Sequence, residues 1–171
     1  LDEAVTGVLQ SAFGYSGQKC SACSRVVVHG AIYEAFLERL RPAVEALSVG
    51  PAEDPGTVIG PVIDEESWKR INDCVALGIE EHRLVVNGDV KNLAKEGLFV
   101  APHVFADVPA DARLAQQEIF GPVLCVIRAK NFDEAIDIAK KLVAERDAAN
   151  ADNEALRAER AAAVAERDAA V

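Results

Sequence analysis

Cysteine is the residue type here with the widest chemical range, and two of the four cysteines, Cys20 and Cys23, share the stretch "GYSGQKCSACSR" at residues 14–25. Three chemistries use a thiol in such a setting. A structural zinc site needs four ligands, usually as two close pairs; Cys20 and Cys23 have the C-x-x-C spacing, but no second pair exists and His29, His82 and His103 are scattered. No metal site is therefore expected. A thioredoxin-like dithiol sits at a helix N-terminus after a strand, whereas here helical spacing precedes the cysteines and a β-branched run follows them. The third chemistry is a single nucleophile. Cys20 lies in a turn of small residues, where backbone N–H groups can point at a thiolate or at an oxyanion on its substrate, and Lys19 adds positive charge. The plainer alternative makes Cys20 a small residue at a tight crossing. Cys23, Cys74 and Cys125 read as packing residues, Cys74 beside Ile71 and Val75 on a helical pattern and Cys125 inside an apolar strand.

The elements that would position Cys20 follow from periodicity. Residues 2–13 place Val5, Val8, Leu9 and Ala12 on one helical side, and Gly14 to Gly17 stop that helix. "RVVVH", 25–29, has the composition of a strand buried on both faces, as in parallel sheets. "AIYEAFLERLRPAVEAL" is helical, with Pro42 predicting a kink or two abutting helices. "VGPAEDPGTVIGPVID" is a long irregular connection, 65–77 a helix, and 83–86 a strand closed by an Asn87-Gly88 turn. "LFVAPHVFADV" is extended, "PADARLAQQE" a turn and short helix leading to Glu118, and "PVLCVIRA" a second buried strand, followed by a helix capped by Asn131. This order predicts an α/β fold.

From Ala144 the sequence resolves into four blocks of seven, "AERDAAN", "ADNEALR", "AERAAAV" and "AERDAAV", each with alanine at its first and fifth place. That spacing predicts a long helix with an alanine seam. The helix either packs or pairs along the seam or extends as a solvated segment, so self-association through 144–171 is a possible partner mode. A domain boundary is placed near Lys140, giving 1–139 and an Ala-rich heptad helix at 140–171.

The formal net charge of −10 opposes a nucleic-acid partner, since binding phosphates requires clustered Lys and Arg. No apolar stretch approaches the roughly 20 residues of a membrane span, and "LDEAVTGVLQ" lacks the basic region of a signal peptide. A cytoplasmic protein with a small-molecule or protein partner is expected.

"GYSGQKCSACSR" closely resembles the Gly-Gln-x-Cys motif that presents the catalytic thiol in the aldehyde dehydrogenase superfamily. "GLFVAPHVFADVPADARLAQQEIFGPVLCVI" resembles the segment whose Glu-x-Phe-Gly-Pro motif contacts the cofactor, and "VGPAEDPGTVIGPVID" resembles the loop between them. Within the superfamily the sequence is most similar to the 1-pyrroline-5-carboxylate dehydrogenases of proline catabolism, which oxidise glutamate semialdehyde to glutamate with NAD. The resemblance implies a partial aldehyde dehydrogenase catalytic domain, with a mostly parallel sheet and flanking helices, joined to a long C-terminal helix of foreign character. It also implies that Cys20 attacks an aldehyde substrate, that the Cys20 N–H helps hold the resulting oxyanion, and that water later releases the acid from a Cys20 thioester. Glu118 would hold the nicotinamide ribose hydroxyls of NAD, Phe120 would pack on the nicotinamide ring, and Ser21 would contact the substrate carboxylate. The family's cofactor domain, general-base glutamate and oxyanion asparagine precede its cysteine, so this sequence is expected to be a fragment, inactive alone. The alternative is a structural or interaction module, or an engineered fusion or chimera, whose helical tail covers or oligomerises the fragment.

Overall fold

The computed structural model describes residues 1–90, 93 and 95–144. The heptad blocks beyond residue 144, with the pairing expected of them, lie outside the described residues.

Helix α1, Asp2–Phe13, buries Val5, Ala12 and Phe13 and gives way to a short 3-10 turn at Gly14–Gly17. Strand β1, Arg25–His29, follows, and then α2, Tyr33–Glu45, which buries Phe36, Leu37, Leu40 and Val44 at helical spacing. Pro42 does not divide α2, which runs unbroken through it. It lies in the last turn, where the lost bond to Glu38 leaves only three further residues to hold. The irregular connection after α2 is pinned by one parallel bridge, Val49 to Ile59.

Helix α3 spans Glu65–Glu81 and starts on Asp64, whose carboxylate accepts the Ser67 N–H at 2.7 Å. The helix extends past the expected end at Leu77 because Gly78 is tolerated where α3 runs close over the Phe105 ring. Strands β2, Arg83–Asn87, and β3, His103–Ala106, then helix α4, Arg113–Gln116, and strand β4, Val123–Ala129, complete the sheet. Asn87 belongs to β2 rather than to a hairpin turn. A further helix, α5, begins at 132 and continues to the last described residue, 144, and its first turn is capped by Asn131 Oδ1, which accepts the Glu134 N–H at 2.9 Å. The boundary expected at 139/140 falls inside α5.

The strand order is β1-β4-β3-β2. β1 and β3 both pair with β4 in parallel, and β2 joins β3 antiparallel. Alternation along the strands divides the core in two. Val28, Val86, Val104, Ala106, Leu124 and Val126 face α1 and α2. Phe105, Val123, Cys125 and Ile127 face α3, α4 and α5, the last through Leu142. The result is a three-layer α/β arrangement with a mostly parallel sheet, as the sequence predicts. β1 differs from its predicted burial on both faces. It is a sheet edge among the described residues, so Arg25 to Val27 are only half buried and Val28 alone is fully covered. Among the described residues no helix is long and apolar enough to cross a membrane, and no group of three or more His, Cys, Asp or Glu could hold a metal ion.

Candidate active site

Parallel pairing of β1 with β4 brings the two motifs together. Arg25 stands opposite Cys125 in the register, and Cys20 precedes Arg25 by the same number of residues as Phe120 precedes Cys125. The loops entering the two strands therefore meet at one end of the sheet.

The first loop is bent by residues in the left-handed region. Tyr15 has φ 54° and Ser16 φ 57°, each of which strains a residue with a Cβ, and Gly17 has φ 69°. Polar bonds hold this shape. Ser16, buried, donates its hydroxyl to the Gly60 carbonyl at 2.9 Å, and Gln18 Oε1 accepts the Ile63 N–H at 3.1 Å. Beyond the bend, the Ala22 N–H donates to the Lys19 carbonyl at 2.8 Å, closing a turn that carries Cys20 and Ser21, and the Cys23 N–H donates to the Ser11 carbonyl at 3.1 Å. Cys20 is exposed in that turn, and Lys19 Nζ stands 5.6 Å from the Tyr15 ring centroid.

The second loop, after α4, alternates between wall and solvent. Ile119 is buried, while Glu118 and Phe120 on either side of it are exposed. Phe120 also takes a left-handed φ of 53°, which costs about 1–2 kcal/mol for an L-residue and persists only because its neighbours dictate it. Those neighbours are close. A Cβ on Gly17 would stand 2.2 Å from the Gly121 carbonyl oxygen, and one on Gly121 would stand 2.6 Å from Ile71 Cδ1. At Gly17 backbone thus meets backbone between the two loops, so only glycine fits there, while Gly121 packs against the Ile71 side chain.

Between them opens a cavity of about 670 Å³ whose lining includes Cys20, Cys23, Arg25, Glu118, Phe120 and Leu142. Of the residues singled out in the sequence, the structure gathers Cys20, Glu118 and Phe120 on this cavity. Ser21 is exposed in the Cys20 turn and lies off the cavity wall. Arg25 and the α5 residues Leu142 and Val143 were not legible as site residues, because only the strand register and the docking of α5 put them there. The Arg25 Nε is buried with no hydrogen-bond partner among the described residues. Burial raises the Cys23 thiol above its ordinary range, with the Arg25 backbone hydrogen bond and the Arg25 charge opposing; the thiol itself donates to the Arg25 carbonyl at 3.2 Å. Burial likewise pushes Cys125 up to about 12, and Cys74 upward, so neither core thiol is a nucleophile near neutral pH.

Comparison with known proteins agrees with the fold and the family resemblance. The 1-pyrroline-5-carboxylate dehydrogenase of Bacillus subtilis (strain 168) is 43% identical over 139 residues, 81% of this chain and 27% of the relative. The chain thus spans about a quarter of the length of the curated relatives it matches. A 1-pyrroline-5-carboxylate dehydrogenase from Thermus with bound NAD superposes with a TM-score of 0.75 at 48% identity, covering 81% of this chain and 26% of that one. Proline utilization A from Bdellovibrio bacteriovorus, inactivated by N-propargylglycine, superposes with a TM-score of 0.77 at 51% identity, over 81% of this chain and 14% of that one. The aldehyde dehydrogenase family model matches residues 1–163, past the expected boundary at 139, and the chain belongs to the aldehyde dehydrogenase family.

Proposed function

We propose that residues 1–139 form the thiol-bearing part of an NAD-dependent aldehyde dehydrogenase site whose substrate is glutamate semialdehyde. The observation that carries the reading is the convergence of Cys20, Glu118 and Phe120 on one cavity at the meeting of two loops locked glycine to glycine.

In this reading the Cys20 sulfur adds to the aldehyde carbon, forming the C–S bond while the carbonyl electrons move to oxygen. The Cys20 N–H is one donor for that oxyanion. The residues present fit the nicotinamide end of NAD. Glu118 is exposed at the cavity and makes no hydrogen bond or ion pair to another described residue, which leaves both carboxylate oxygens free to accept ribose hydroxyls. The Phe120 ring, partly exposed beside it, offers a flat apolar face to an aromatic ring. NAD, when bound, supplies the hydride acceptor. Ser21 would reach the substrate carboxylate only by resemblance, since it stands off the cavity wall.

Glu118, assigned here to the ribose, is the one carboxylate among the described residues lining the cavity with Cys20, and no second carboxylate or histidine among them lines it to act as general base, so turnover by this chain alone is not expected. The test reads the thiol directly. Glutamate semialdehyde should slow alkylation of Cys20 by iodoacetamide, as reversible addition occupies the sulfur, while leaving Cys74 and Cys125 unchanged. Equal alkylation with and without aldehyde would sink the reading. NADH production that vanishes in Cys20→Ala would uphold the chemistry and overturn the expected inactivity.

A further inference from the structure

Cys23 is the one thiol on this cavity that the dehydrogenase reading leaves without a task. We propose that Cys23 is a resolving thiol for Cys20, closing a Cys20–Cys23 disulfide when peroxide oxidises Cys20.

Several observations carry this. Both cysteines line the same cavity, both are free thiols, and Cys20 is exposed where a small oxidant reaches it. The turn bonded from Ala22 to Lys19 already folds the chain back at Cys20 and Ser21. Cys23 is anchored, its N–H held by Ser11 and its thiol by the Arg25 carbonyl, so the closing movement falls on an exposed turn that the Lys19–Ala22 bond alone closes. The intervening residues, Ser21 and Ala22, are small and impose little on that movement. The remaining pair, Cys74 and Cys125, lies in the core behind α3 and β4 at 5% and 1% exposure, shut away from oxidant. Burial that keeps the Cys23 proton on sulfur also fixes the order of events, with Cys20 oxidised first and Cys23 second.

The chemistry balances with hydrogen peroxide as the oxidant. The Cys20 sulfur takes one peroxide oxygen to become a sulfenic acid and the other oxygen leaves as hydroxide. The Cys23 sulfur then attacks the Cys20 sulfur, the S–S bond forms, and the sulfenic oxygen departs as water with the Cys23 proton. Two thiols lose two electrons, and peroxide is reduced to two molecules of water. A disulfide is reversible by thiols, whereas a lone sulfenic acid proceeds with more peroxide to sulfinic acid. Cys23 would thus protect the nucleophile while switching it off.

Trypsin cuts after Lys19 and Arg25, so both sulfurs fall within one hexapeptide, "CSACSR". The chain is treated with peroxide while folded, then denatured, alkylated, digested and weighed. The expected result is a hexapeptide lighter by two hydrogens and resistant to alkylation, with the thiol count falling from the four present to about two and restored by dithiothreitol. In Cys23→Ser the same exposure should instead yield Cys20 sulfinic acid. Cys20 sulfinic acid beside an alkylatable Cys23 in the unaltered chain would overturn the proposal, as would a disulfide joining two chains on a non-reducing gel. Neither outcome bears on whether aldehyde adds to Cys20, so this proposal and the dehydrogenase reading fail separately.

Discussion

The loop carrying Cys20 and the loop carrying Glu118 and Phe120 enter adjacent parallel strands in matching register, and both contain residues with φ near +55°, yet they are held by different forces. The thiol loop is tied by directed polar bonds, Ser16 to Gly60, Ile63 to Gln18 and Cys23 to Ser11. The Glu118 loop is held mainly by contact, with Ile119 sunk in the core and Gly121 pressed between Ile71 and Gly17. Polar ties fix a loop at points and leave the turn between them free, which suits a nucleophile that must meet a substrate. Close packing fixes a loop along its length, which suits two side chains that must present a surface at fixed spacing.

Gly17 is where the two regimes touch, and its replacement should have the largest effect. Gly17→Ala places a methyl 2.2 Å from a backbone oxygen that cannot rotate away, at a φ of 69° that alanine resists. A loss of about 3 kcal/mol in urea unfolding is expected from clash and strain together, with faster alkylation of Cys20 as the loops part. Gly121→Ala is milder, because the new methyl meets the Ile71 side chain rather than backbone. About 2 kcal/mol is expected, and Ile71→Val should recover part of it in a double-mutant cycle. Should a distant side-chain truncation rescue Gly17→Ala equally well, the distinction between a backbone-limited and a side-chain-limited contact would be lost. Ser16→Ala tests the polar side alone: it strands the Gly60 carbonyl without changing volume much, for a loss of about 1 kcal/mol. No loss there, with both glycine variants unstable, would mean that packing holds both loops.

Much of this site was legible because its chemistry is local in sequence. The glycine-flanked cysteine, the Glu-x-Phe-Gly-Pro stretch and the alternation of helix and strand are each visible within about a dozen residues. What was hidden depends on register. Nothing in "RVVVH" marks β1 as a sheet edge, since an edge strand beside one parallel partner has the same β-branched composition as an inner one. Arg25 reads as a strand's first residue, and only pairing with Cys125 turns it toward the cavity wall. Pro42 does not split α2 into two helices for a positional reason: in the last turn a proline costs one bond and leaves little helix beyond it to hold. Gly17 and Gly121 are visible as glycines in two motifs, but that the first is required by the Gly121 backbone and the second by the Ile71 side chain is a fact of tertiary contact alone.

The smallest expected effect separates the two loops by pH. His103, buried in β3, donates its backbone N–H to the Pro122 carbonyl at 2.9 Å, directly behind the Glu118 loop. Its Nδ1 lies 2.9 Å from the Ala101 carbonyl and its Nε2 lies 3.1 Å from Asn87 Oδ1. Burial lowers its pKa from 6.5, with the Ala101 carbonyl opposing, so the folded chain keeps the ring neutral where the unfolded chain would protonate it. The unfolded state therefore binds more protons below 6.5, and stability falls as pH drops from the unfolded value toward the lowered folded one, with no contribution from this group above it. Melting temperature followed from about pH 7.5 to about 5.5 should show that decline, and His103→Gln should flatten it. The strain should register first in the Glu118 loop, as Phe120 solvent exposure, while Cys20 alkylation, corrected for the thiolate fraction, holds steady. Parallel change at both loops would show that the glycine contact transmits disturbance between them, and that the polar ties and the packed segment behave as one unit rather than two.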